Sequence, residues 1–194
     1  MTLANKITIA RILLIPVFVL FAIYYGRSVE LGAPEEWQRI TAIIIFIVAA
    51  ATDGVDGWVA RRFNQRSPLG AVLDPIADKG LLLTAIITLS LSKWTYAFPL
   101  WFPVLVIARD AVIVTGCVLV KHLNGHLDVK PSWPGKAATA FQMIAIAWIM
   151  LQLDHYLYSV YAAGFFTLLS GVGYVVDGIG QLRHHDTPGG GVAK

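Results

Sequence analysis

Polar residues interrupt this chain only at long intervals. Between them run six apolar stretches, at about 8–26, 37–60, 70–92, 98–121, 136–153 and 157–181. One bilayer crossing takes roughly 20 apolar residues. These stretches match that length, and runs so long suit helices far better than strands. The pattern predicts an all-α integral membrane protein with six transmembrane helices. It predicts one membrane domain over 1–183 and a flexible tail over 184–194, where the sequence turns to Pro-Gly-Gly-Gly. The first stretch follows Lys6 and Arg11, like the start of a signal peptide. No small-residue cleavage site follows it, so it reads as a mature helix.

Composition agrees with the pattern. Of 194 residues, 57% are hydrophobic and 14% charged, against about 25% charged in a soluble domain. Mean hydropathy is +0.67, which calls for lipid around the protein. A single cysteine, Cys117, excludes an internal disulfide framework and reads as a small buried hydrophobe. The net charge of +3 reads as topology signals and anionic-lipid contacts, with no nucleic-acid partner.

Charge placement orients the helices. Six spans put both termini, the 61–69 loop and the 121–135 loop on one side. That side carries Lys6, Arg11, Arg61, Arg62, Arg66, Lys121, Lys130, Lys136, Arg183 and Lys194, and the other only Arg27, Arg39 and Lys93. The positive-inside rule places both termini in the cytoplasm of a bacterial-type plasma membrane. Trp37, Trp94, Tyr96 and Trp101 lie near span ends and read as an interfacial aromatic belt.

The acids break this pattern. Asp53, Asp56, Asp74, Asp78, Asp110 and Asp177 sit in or beside apolar spans. One acid at a helix centre costs about 2.5–3.5 kcal/mol to insert. Four clustered acids add mutual repulsion, and a bound cation removes both penalties. Asp53 and Asp56 are three apart, and Asp74 and Asp78 four apart, so each pair shares a helix face. A short connection joins the two helices, which lets the pairs face each other at similar depth. Such an oxygen-only site suits Mg²⁺ or Mn²⁺ better than zinc. Gly54, Gly57, Ala60, Gly70 and Ala71 lie beside the acids. Small residues pack membrane helices tightly, and at Gly57 and Ala60 they also leave room for a ligand.

The acids and small residues have one spacing in common with a known signature. Asp53, Asp56, Gly57, Ala60, Arg61, Gly70, Asp74 and Asp78 fill every fixed position of D-x2-D-G-x2-A-R-x8-G-x3-D-x3-D. This resembles the CDP-alcohol phosphotransferases. An opening Asn5-x2-Thr8-x2-Arg11 is similar to theirs as well. The resemblance implies a six-helix, homodimeric membrane enzyme. It would pass a phosphatidyl group from a CDP-linked lipid, CDP-diacylglycerol, to an acceptor hydroxyl and release CMP. By position, Asp53, Asp56 and Asp74 would be metal ligands, and Asp78 a metal neighbour and the catalytic base. Gly57, Ala60 and Arg61 would line the CDP site, with Asn5, Thr8 and Arg11 as further nucleotide contacts.

The acceptor must be read from the second half. Arg109 and Asp110 interrupt the fourth stretch. Arg109 reads either as half of an internal ion pair with another helix or as a fork for an acceptor phosphate. Lys136, at the head of the fifth stretch, reads as a second phosphate contact, since a helix N-terminus attracts anions. The run Ser132-Trp-Pro-Gly135-Lys136-Ala-Ala-Thr139-Ala-Phe-Gln142-Met143 resembles the phosphatidylglycerophosphate synthase branch, whose acceptor is sn-glycerol 3-phosphate. Arg109-Asp110 is more similar to the cardiolipin synthase branch, whose acceptor is phosphatidylglycerol. The histidines show no metal-ligand spacing, and Asp177 receives no role. A rival of another class is an intramembrane cation carrier. The acids' confinement to one end of two helices, beside a basic loop, argues against it.

Overall fold

The structure is a computed structural model that describes residues 3–62, 68–124 and 133–185; side chains are described for residues 7–52, 77–118 and 133–178. It is all-helical. Six helices follow one another: α1 (Leu3–Glu30), α2 (Glu36–Arg62), α3 (Pro68–Leu91), α4 (Trp101–Asn124), α5 (Trp133–Met150) and α6 (Tyr156–His185). Each apolar stretch is one of these helices. The helices outrun the stretches because a backbone keeps bonding i to i−4 after its side chains turn polar. α1 continues through Arg27 to Glu30 and α2 through Arg61 and Arg62. α6 continues through His184 and His185, where the tail was placed; residues 186–194 lie outside the described residues.

Helix starts and stops follow local chemistry. α3 begins on Pro68, and α4 and α5 have Pro103 and Pro134 in their first turns. A proline there loses only an N–H that has no helical partner anyway. α1 ends in a Schellman motif. Gly32 takes φ +73°, its N–H donates to Val29 O, and Ala33 N–H donates to Ser28 O. α5 ends the same way with a residue less suited to it. Gln152 takes φ +53°, its N–H donates to Ile149 O, and Leu153 N–H donates to Trp148 O. A left-handed non-glycine costs about 1–2 kcal/mol. The Gln152 side chain offsets this by donating to the Tyr25 hydroxyl (2.6 Å) and to Thr95 Oγ1 (3.3 Å).

The helices gather into two compact units. The first holds residues 1–103 and 143–156. In it α1 packs on both α2 and α3, and α2 meets α3. Phe18, Ala22 and Tyr25 of α1, Ala42, Phe46 and Ala49 of α2, and Leu81, Ala85 and Leu89 of α3 are buried, at steps of three and four. Gly26 is where the 92–94 backbone comes closest to α1. A Cβ there would lie 3.0 Å from Lys93 N and from Ser92 Cβ. Trp94 seals this corner. It is 5% exposed, its indole N–H donates to Ala22 O at 2.9 Å, and its ring meets Tyr25 edge-on. The belt reading therefore fails for Trp94. Its N–H has an internal carbonyl to serve, so the ring fills the core. Trp37 and Trp101 are exposed.

The second unit holds residues 104–142 and 157–194. A buried polar pair joins α5 to α6 in it. Gln142 Nε2 donates to Thr167 Oγ1 (2.9 Å), and Thr167 Oγ1 donates to Ala163 O (2.7 Å). Phe141 stacks on Phe166, which ties α5 to α6.

Large apolar side chains also point outward. Leu13, Leu20, Ile44, Ile47, Val104, Val114, Phe165 and Val172 are among many that are more than half exposed. Soluble monomers rarely expose apolar patches beyond a few hundred Å², and a bilayer removes the penalty. Among the described residues, three helices are long and apolar enough to cross a membrane: Ile7–Glu30, Trp101–Val118 and Tyr156–Gly178. The protein is thus an all-α membrane protein with apolar helices.

Candidate active site

α2 is helical through Arg62, and α3 is helical from Pro68. The i, i+3 spacing of Asp53 and Asp56 and the i, i+4 spacing of Asp74 and Asp78 therefore lie on unbroken helix, each pair within about one turn. Gly57, Ala60 and Arg61 continue along α2. The side chains of Asp53, Asp56, Gly57, Ala60, Arg61 and Asp74 lie outside the described residues, as does that of Asn5. Asp78 is half-buried, next to the exposed Lys79. The donor set fits a hard divalent cation. Its members are carboxylates only, repeated at helical spacing on helices that meet.

α1 sets two buried polar residues against α2. Thr8 and Arg11, three residues apart, are both 0% exposed. A guanidinium so deeply buried requires polar partners. One of them is Thr52, the residue just before Asp53. Arg11 Nε donates to Thr52 Oγ1 at 3.2 Å. The Thr52 hydroxyl proton is directed elsewhere, to Ala49 O at 2.6 Å, so an oxygen lone pair faces Arg11. Arg11 is thereby tied to the turn of α2 that carries the first two aspartates. Sequence reasoning missed Thr52. A threonine in an apolar helix often bonds its own backbone, and nothing in its neighbours marks a second partner.

Arg109 and Lys136 belong to the second unit. Lys136 is exposed, in the first turn of α5; Lys130 and Ser132 lie outside the described residues. The Arg109 side chain is 10% exposed and forms an ion pair with its neighbour, Nη1 to Asp110 Oδ1 at 2.7 Å. The ion pair expected with another helix is instead made within α4, where the neighbouring carboxylate is already in reach. Arg109 also donates from Nη2 (2.7 Å) and Nε (3.3 Å) to Ser170 Oγ of α6. The Tyr174 ring lies 5.9 Å from the guanidinium carbon, within cation–π range. Gly171 lies against the stem, where an added Cβ would sit 3.6 Å from Arg109 Cγ. Asp177, further along α6, is exposed.

Comparison with known proteins bears on these residues together. A sequence profile described as CDP-alcohol phosphatidyltransferase matches residues 1–175. The chain is 38% identical, over 146 residues, to the CDP-diacylglycerol–glycerol-3-phosphate 3-phosphatidyltransferase of Escherichia coli (strain K12). The proteins of the same name from Shigella boydii serotype 4 (strain Sb227) and Shigella sonnei (strain Ss046) give the same identity. In each case 74% of this chain and 74% of the relative are covered. The profile runs from α1 through most of α6, so it takes in the aspartates, Arg11 and Arg109 alike. The spacing of the acids, the helices that carry them and this match lead to one conclusion: the chain belongs to the CDP-alcohol phosphatidyltransferase family.

Proposed function

We propose that the protein is a CDP-diacylglycerol–glycerol-3-phosphate 3-phosphatidyltransferase of phospholipid biosynthesis. It transfers the phosphatidyl group of CDP-diacylglycerol to sn-glycerol 3-phosphate and releases CMP. The observation that carries this reading is the 38% identity, over 74% of the chain, to enzymes of that name.

In the reaction, the acceptor hydroxyl oxygen bonds to the phosphorus that bears diacylglycerol. The bond from that phosphorus to the bridging oxygen breaks, and its electron pair leaves with CMP. Asp78 takes the hydroxyl proton, a contribution typically worth 10²–10⁴ in rate. Asp53, Asp56, Asp74 and Asp78 would hold Mg²⁺ or Mn²⁺. Such an ion neutralises charge on the diphosphate and on the departing CMP. Gly57 and Ala60 leave room for the nucleotide against α2. Arg61, Asn5, Thr8 and Arg11 bind its polar groups. Arg109 and Lys136 receive the acceptor phosphate, which a guanidinium grips by two parallel N–H bonds. The six helices span the plasma membrane with both termini and this chemistry on the cytoplasmic side, and the enzyme works as a homodimer. The excess of lysine and arginine on that side supports the orientation.

The test is CMP release by purified protein given CDP-diacylglycerol, Mg²⁺ and a panel of acceptors. Release with glycerol 3-phosphate supports the assignment. Release with phosphatidylglycerol alone moves the protein to the cardiolipin synthase reaction. No release with any acceptor overturns the transferase reading and returns the acids to cation carriage.

A further inference from the structure

We infer that Ser170 is a positioning residue for the acceptor phosphate, acting through Arg109. The inference rests on the proposed role of Arg109 and adds what holds that side chain ready. Arg109 has an acid as its chain neighbour. A flexible arginine beside a carboxylate tends to close on it through two parallel N–H bonds. That pairing would neutralise the guanidinium and occupy the fork that a phosphate needs. The structure has a different arrangement. Asp110 takes one bond, from Nη1. Ser170 Oγ takes the opposite edge, accepting from both Nε and Nη2.

Ser170 is well placed for this. It is 1% exposed and lies on α6, a different helix from Arg109. Its neighbours in the α6 sequence hold the same side chain: Gly171 meets the stem and Tyr174 lies near the guanidinium. A guanidinium carries five N–H donors. The three bonds to Asp110 and Ser170 leave two without a partner among the described residues. Ser170 is neutral, so it fixes the orientation of the guanidinium without cancelling its charge. A carboxylate in its place would cancel it, and an apolar residue would release Arg109 to Asp110.

The test compares Ser170→Ala and Ser170→Thr with the unaltered enzyme in full-length purified protein. Ser170→Ala is expected to raise KM for glycerol 3-phosphate on the order of tenfold. KM for CDP-diacylglycerol stays near its original value. Ser170→Thr keeps the oxygen and stays near the unaltered enzyme. If the alanine variant does not fold, Ser170→Cys keeps the volume with a weak acceptor and is expected to show the same split. An unchanged KM for glycerol 3-phosphate overturns the inference. So does an equal rise in both KM values, which marks Ser170 as packing alone. Failure of the unaltered enzyme to use glycerol 3-phosphate is a different result, and it removes the proposed function first.

Discussion

At the scale of single residues, the chemistry turns on how few polar groups the apolar helices contain and where each finds a partner. Asp78 is the one signature aspartate whose side chain is described, and it is half-buried. Asp78→Asn keeps the size and removes the base. Turnover is expected to fall by about 10²–10⁴ while CDP-diacylglycerol still binds; unchanged turnover removes Asp78 as the base. Far along the chain, in the α3–α4 connection, Tyr96 donates to Asp154 Oδ1 at 2.9 Å. That bond to a carboxylate, and then its charge, hold the phenol above its ordinary value of 10.0. The folded value lies above the unfolded one. The Tyr96 contribution to stability is therefore complete below the unfolded value and is lost as pH rises through the folded one, in the strongly alkaline range. Asp154→Asn is expected to bring one tyrosine's titration down, read as tyrosinate absorbance. Tyr96→Phe should abolish that same step, and identical titrations in all three proteins would refute the pairing.

At the scale of elements, the apolar periodicity located all six helices, with ends off by a few residues. Helices of this length are visible because burial in lipid leaves no polar face to confuse the pattern. What escaped was how they touch. Gly26 looks like an ordinary glycine inside an apolar run, where alanine is the better helix former by about 1 kcal/mol. The structure reverses that sign, because the backbone of Lys93 lies 3.0 Å from where the new Cβ would be. Backbone there yields only by moving the α3–α4 connection and Trp94. Gly26→Ala is expected to destabilise the protein by about 1–3 kcal/mol, seen as a lower unfolding midpoint in detergent. A raised midpoint would show that helix propensity wins. Thr52 and Ser170 escaped for a related reason. Each bonds a residue 41 or 61 positions away, and local sequence carries no record of such a partner.

At the scale of the whole molecule, lysine and arginine placement predicts the orientation and apolar exposure sets the surroundings. Both termini are expected in the cytoplasm. A C-terminal alkaline phosphatase fusion should be inactive and a C-terminal fluorescent protein bright; the reverse pattern would refute six spans with this orientation. The two ends of the reaction differ in how legible they were. The proposed aspartate site stood out because acids in apolar helices are costly and their spacing is rigid. The proposed acceptor site did not, because a lone arginine beside an aspartate suits an ion pair and a phosphate site equally well.

The sequence by itself determined the helices, the apolar surroundings and the family, through the eight fixed signature positions between Asp53 and Asp78. These depend on local spacing and on composition, which any reading of the chain preserves. Only the tertiary structure decided that Trp94 fills a core corner, that Thr52 meets Arg11, and that Ser170 bonds Arg109. Those facts depend on which faces of distant helices come together, and a periodic apolar pattern is the same whichever neighbour each face meets.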